Sequence, residues 1–154
     1  MLGAKQHGDL WTNYVKIGSL SCSPQLLEAM AKSEIDRIRL RVAENPKTPV
    51  DILELLVSDK SPDVRVAVGT NPSTPAHISY RLAFDEDLNV RLGLADDLNT
   101  PIELLEKLMN DANPYVSIRA AQTKEIALSQ GKLRSLGKKF MRWFKEGLTE
   151  LKYA

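Results

Sequence analysis

The sequence predicts an all-α fold: a right-handed α-solenoid of short helix pairs with a period of 26 residues, followed by a C-terminal amphipathic helix. The first ground is an internal repeat, which outranks other sequence signals because it governs the whole architecture. Thr48-Pro49, Thr74-Pro75 and Thr100-Pro101 stand 26 residues apart, and so do Asp59, Asp85 and Asp111. The second is the apolar stretch at helical spacing that follows each Thr-Pro pair. The third is a set of short apolar runs between them, each in register with the next: Ile38 to Pro49, Val64 to Pro75 and Val90 to Pro101.

The elements follow in order. Residues 1–9 read as a flexible leader, residues 10–129 as the repeat array, and residues 132–153 as a basic amphipathic helix that caps or extends it. Ser23-Pro24, followed by Gln25 to Met30, is an early copy one residue short in its turn. In each full unit, Thr is expected as the N-cap of a helix of about ten residues, with Pro at its first position, where a missing N–H costs nothing. Thr100 and Glu103 have the spacing of a capping box. One buried stripe is expected from Ile52, Leu53, Leu56 and Val57, then Ile78, Leu82 and Ala83, then Leu104, Leu105, Leu108 and Met109. Asp51, Glu54, His77, Arg81, Glu103, Glu106 and Lys107 fall on the opposite face.

A second helix start follows at Ser61-Pro62-Asp63 and at Asn113-Pro114. The columns Ile38/Val64/Val90/Val116, Leu40/Val66/Leu92/Ile118 and Val42/Val68/Leu94/Ala120 permit a strand on composition. The opening Pro and Asp, and the small column Arg41/Ala67/Gly93, favour a short buried helix. Asn45-Pro46 and Asn71-Pro72 end it, because a residue before proline avoids the α region. Helices this short bury their stripes only against neighbouring pairs, so the units are expected to stack.

These columns resemble the variant leucine-rich repeat family of bacteria over residues 38–121, and more weakly over 22–37. The Asp followed by Val-Arg, as in Asp59 then Val64-Arg65 and Asp85 then Val90-Arg91, is similar to HEAT repeats. The resemblance implies a curved, armadillo-like α-solenoid with a binding role. Some members hold an iron–sulfur centre on an N-terminal cysteine cluster; with Cys22 alone, that feature does not carry over, and no cofactor or metal is expected.

One cysteine in 154 residues excludes an internal disulfide and fits a reducing compartment. With no apolar run long enough to span a bilayer and no signal-peptide core at the start, a cytoplasmic location is expected. The net charge of +1 conceals an asymmetry: residues 129–154 carry seven basic residues against two glutamates, a net of +5, leaving −4 elsewhere. Leu133, Leu136, Phe140, Phe144, Leu148 and Leu151 form an apolar face on that basic tail, with Lys138, Lys139, Arg142 and Trp143 as contact candidates. The tail reads first as a cap on the last repeat. Its alternatives are a membrane-surface or partner-seeking helix, and a nucleic-acid contact.

Arg39, Arg65 and Arg91 recur in register with Asp59, Asp85 and Asp111, which predicts a structural ladder; a phosphate-tracking stripe is the alternative. Arg41 and Arg119, in a column that varies between units, and Tyr80, Arg81 and Phe84 are candidate partner anchors. His7 and His77 have no partner at triad or metal spacing, and no phosphate loop is present, so no catalysis is expected. The function expected is a protein-interaction scaffold, monomeric or weakly self-associating. Nucleic-acid binding through the arginine column and tail, and membrane attachment through the tail, are the alternatives.

Overall fold

The computed structural model describes residues 12, 14–19 and 21–131. The leader at 1–9 and the tail at 132–153, with Lys138, Lys139, Arg142 and Trp143, lie outside the described residues. After a helical turn at 14–17 come α1 (Pro24–Ala31), α2 (Asp36–Glu44), α3 (Val50–Leu56), α4 (Pro62–Thr70), α5 (Ala76–Leu82), α6 (Leu88–Asp96), α7 (Ile102–Leu108) and α8, residues 114–131. Among the described residues there is no strand. The chain is all-α, and the columns compatible with a strand are helical.

The helices after each Thr-Pro, α3, α5 and α7, have seven residues, fewer than the ten expected. The chain tightens early. The N–H groups of Asp59, Asp85 and Asp111 bond back three residues to the carbonyls of Leu56, Leu82 and Leu108, at 3.0, 3.1 and 3.0 Å. That closure ends each helix and swings the aspartate toward the neighbouring unit. Met109, placed by periodicity on the buried stripe, is instead 39% exposed beyond the end of α7.

Threonine does not cap these helices. Pro49, Pro75 and Pro101 occupy the N-cap positions, and no side-chain cap bond is made. The Thr48, Thr74 and Thr100 hydroxyls donate backward, to the carbonyls of Val42, Val68 and Leu94, at 2.6, 2.5 and 2.7 Å. The capping box at Thr100 and Glu103 is therefore not formed. The last-turn carbonyls lack the usual helical donor four residues on: those of Val42 and Val68 take the N–H groups of Asn45 and Asn71 at 3.1 and 3.3 Å instead, and the threonine hydroxyl adds a second bond to a buried acceptor. The early N–H groups of α3 lie near solvent, beside exposed Val50 and Asp51. Ser23, by contrast, does cap α1, accepting from the Leu26 N–H at 3.3 Å.

Packing joins the helices in chain order. α2 lies against α4 and α4 against α6, while α3, α5 and α7 each contact the nine-residue helix beside them in sequence. One hydrophobic core runs from Ile17 to Ala120. Leu56, Leu82 and Leu108 all belong to it and are at most 2% exposed. Gly93 sets the approach of α6 to α4: a Cβ there would fall 2.8 Å from Val66 Cγ1. A β-branched neighbour has little freedom to yield, so only glycine permits this contact.

α8 departs from the other units. Instead of turning after nine residues it continues through Gln130 and Gly131, which lie between the array at 10–129 and the tail at 132–153. Thr123 is buried, and Lys124 Nζ reaches Glu106 Oε1 at 2.6 Å, so the extension lies over α7.

Candidate interaction surface

Three arginines and three aspartates form one recurring arrangement inside the fold. Arg39 donates from Nε and Nη2 to the Asp59 carboxylate at 2.6 and 2.8 Å, and from Nη1 to the Ser33 carbonyl at 2.8 Å. Arg65 grips Asp85 in the same fork, at 2.7 and 2.9 Å, with Nη1 on the Asp59 carbonyl at 2.7 Å. Arg91 holds Asp111 through Nε at 2.7 Å and donates to the Asp85 carbonyl at 2.7 Å. Each aspartate also accepts from a backbone N–H two residues on, of Ser61, Asp87 or Asn113. An arginine thus ties the turn before its own helix to the turn after the next.

Electrostatics follow from that geometry. Burial pushes the carboxyl groups of Asp59, Asp85 and Asp111 upward, but hydrogen bonds from arginine and from backbone N–H groups outweigh it and hold all three below the ordinary aspartate range. The hydrogen bonds to Asp59 and Asp85, opposed by burial, raise Arg39 and Arg65 above the ordinary arginine value.

A pH dependence results. Native aspartate values below the unfolded ones mean the unfolded chain binds more protons in the window between them, so stability rises with pH there. The contribution is complete above about pH 4 and is lost as pH falls through the native values. Urea midpoints measured from pH 7 to pH 2 should therefore be level down to about pH 4 and then drop. A level profile down to pH 2 would contradict the ladder's electrostatics.

A second polar set was invisible as such in the sequence. Asn71 Nδ2 donates to the carbonyls of Ala43 and Asn45 in the preceding unit, at 2.6 and 2.9 Å, while its Oδ1 accepts from Ser73 N–H at 2.8 Å. Asn45 reaches Ile17 and Ser19 in the same way. Asparagine before proline was readable only as a helix terminator. The next position in register is Asp97, which has no such donor; there the Gly69 carbonyl takes the hydroxyl of buried Ser79 at 3.3 Å. Ser79 occupies the register of Leu53 and Leu105, so a polar residue in an apolar column was the available signal.

The remaining candidates lie on the outside. Tyr80 and Arg81 lie in the last turn of α5 and Phe84 two residues beyond its end, and Arg81 and Phe84 line one groove. Phe84 is 66% exposed, with Lys107 Nζ over its ring at 4.9 Å, and Arg81 Nη2 donates to Ser58 Oγ at 2.7 Å. A groove of about 500 Å³ there is lined by Ser58, Lys60, Arg65, Arg81, Phe84 and Glu86 among others. Lys107 and Ser58 were not singled out by sequence; both enter because they flank Phe84 and Arg81 from neighbouring units.

Arg41 and Arg119 are far from this cluster in sequence and serve other contacts. Arg41 lies over the Tyr14 ring at 5.6 Å, pairs with Glu44 at 3.3 Å and packs against Gly18. Arg119 pairs with Asp96 at 3.2 Å, both well exposed. His77 stands 3.7 Å from Glu54 on the solvent side. Cys22 is half-buried against the core, and burial pushes its thiol up, away from the reactive thiolate.

Among the described residues, no helix is long and apolar enough to cross a membrane, and no group of His, Cys, Asp or Glu is gathered to hold a metal ion. The chain matches no protein-family model, no curated protein and no solved structure.

Proposed function

We propose that the chain is a right-handed α-solenoid of 26-residue helix pairs, like the variant leucine-rich repeats its columns resemble, and that it acts as a non-catalytic module binding a protein partner. Helix starts support the period: α2, α4, α6 and α8 begin at 36, 62, 88 and 114, and α3, α5 and α7 at 50, 76 and 102. The observation that carries the function is a division of labour between recurring and varying positions. The recurring charges, Arg39, Arg65 and Arg91 with their aspartates, are spent on internal bonds. The positions that differ between units stand open: Tyr80, Arg81 and Phe84 replace Glu54, Leu55 and Ser58 of the unit before. An aromatic and arginine cluster beside a groove has the composition of a protein-binding hot spot.

The nucleic-acid alternative loses its arginine column in this reading. To meet a phosphate, each guanidinium would have to leave a bidentate carboxylate at a half-buried or buried site.

The test compares affinity capture from host extract by wild type, Phe84→Ala and Arg81→Glu, followed by titration of the captured protein. Phe84→Ala should weaken binding by about 2 kcal/mol, or roughly 30-fold. Equal capture by all three proteins would remove this surface as the binding face. Salt-sensitive retention of nucleic acid in place of protein would overturn the function.

A further inference from the structure

We propose that the face around Phe84 binds an extended acidic segment of a partner protein, laid along a row of grooves whose lining recurs every 26 residues. The proposal rests on the protein-binding reading above and names the partner chemistry that this face selects.

Three grooves share one construction. That of about 500 Å³ is lined by Asp59, Lys60 and Arg65 and, from the next unit, by Arg81, Phe84 and Glu86. One unit earlier, Ser33, Glu34 and Arg39 line about 340 Å³ together with Leu55, Ser58 and Lys60. One unit later, Asp85 and Arg91 line about 310 Å³ together with Lys107, Asn110 and Ala112. The first and second of these in chain order share Ser58, Asp59 and Lys60, and the second and third share Phe84 and Asp85, so the grooves adjoin.

Charge selects the occupant. The ladder is neutral as a whole, since each of its arginines in the row holds an aspartate. Selectivity therefore falls to the other charged lining residues: Lys32, Lys60, Arg81 and Lys107 against Glu34 and Glu86. Lys32 is spent on Glu28, at 3.1 Å. Lys60, Arg81 and Lys107 are exposed, and among the described residues none of them makes an ion pair. Arg81 has only the Ser58 hydroxyl, and Lys107 only the Phe84 ring. Three cations without carboxylates, gathered around an exposed aromatic, complement a chain that carries carboxylates and one apolar side chain.

Spacing and the two glutamates select the polymer. Packed helices lie about 8–10 Å apart, and an extended peptide advances about 3.3 Å per residue, so about three residues cross each unit. Arg81 and Lys107 occupy one register position in successive units. Carboxylates three residues apart would meet them in turn, with an apolar residue between them on Phe84. Glu34 and Glu86 repel a uniform polyanion laid along the row, whereas a peptide places uncharged residues opposite them.

Random ten-residue peptides displayed on phage and selected on the full-length protein test this. Recovered sequences should be enriched in Asp and Glu, paired three residues apart with an apolar residue between. A fluorescein-labelled copy of the most frequent sequence, followed by fluorescence polarisation, should bind the Arg81→Glu, Lys107→Glu double variant on the order of 100-fold more weakly. Replacing that peptide's carboxylates with lysine should restore binding to the double variant, an exchange that a misfolded variant would not show. Peptides recovered without acidic enrichment, yet lost on Phe84→Ala, would overturn the acidic occupant and leave the protein-binding reading standing. Recovery of no peptide would overturn the proposal too, with capture from host extract still deciding whether this face binds a folded protein. Tighter binding of labelled single-stranded oligothymidine than of the peptide would overturn both.

Discussion

Replacing Arg39 with alanine should destabilise the protein by about 3–5 kcal/mol, read as a lowered urea midpoint with an unchanged slope. The magnitude comes from burial. The side chains of Arg39 and Asp59 are 7% and 6% exposed, so solvent neither screens the pair nor rescues the survivor. Without Arg39, the Asp59 carboxylate keeps only the Ser61 N–H, and the Ser33 and Glu34 carbonyls lose their donor. The contrast is Lys32→Ala, which breaks an ion pair of 3.1 Å whose members are 63% and 61% exposed; its effect should stay within about 0.5 kcal/mol. Arg39→Lys should recover only part of the loss, because an ammonium cannot reproduce the fork. Adding Asp59→Asn to Arg39→Ala should also recover part, since the amide oxygen still accepts from Ser61 and no charge is stranded. The deficit should shrink as pH falls through the native Asp59 value, where the wild type loses the same interaction. A loss below about 1 kcal/mol at pH 7 would mean that the pair behaves as a surface contact.

Helices were legible because their evidence is periodic and redundant. Ile52, Leu53 and Leu56, and Leu104, Leu105 and Leu108, repeat the same spacing, and all six are buried. The arginine and aspartate columns were legible as columns because both recur every 26 residues and each pair is separated by 20. What escaped were choices between equally available bonds. A threonine before proline has one hydroxyl that can accept from the next helix or donate to the previous one. Only burial decides: Thr48 and Thr100, at 2% and 5% exposure, sit over last-turn carbonyls of the preceding helix that periodicity does not reveal. Surface sites were least legible. Lys107 and Ser58 join Phe84 and Arg81 through the rotation between units, a tertiary quantity. Ile118 is exposed although its column is apolar, because what covers a residue is set by its neighbour and not by its own register.

Asn71→Asp should be among the most damaging single-atom changes available to this chain, about 3 kcal/mol or more at pH 7. Asn71 is 6% exposed and makes three hydrogen bonds, two of them donations across the unit boundary. The Ala43 carbonyl it meets lies in the last turn of α2 and has no intrahelical donor. Aspartate keeps the bond from Ser73 but turns a donor into an anion facing two carbonyl oxygens. Repulsion and burial both favour the protonated acid, so the native pKa of the introduced carboxyl rises above its unfolded value. The sign is then opposite to that of the ladder aspartates: the variant's deficit relative to wild type is largest at neutral pH and diminishes on acidification, when a protonated carboxyl regains one donor. Asp97 is the natural contrast. It sits in the same register and keeps the equivalent acceptor bond, to the Asn99 N–H at 2.8 Å, and the carbonyl opposite it is served by Ser79. Asn71→Asp has no such substitute, because Leu53 stands where Ser79 would be needed. Leu53→Ser in the Asn71→Asp background should therefore restore protection from hydrogen exchange at the end of α2, by serving the Ala43 carbonyl, while losing the packing of a core leucine. An Asn71→Asp variant as stable as wild type at pH 7 would show that these cross-unit bonds do not hold the pairs together.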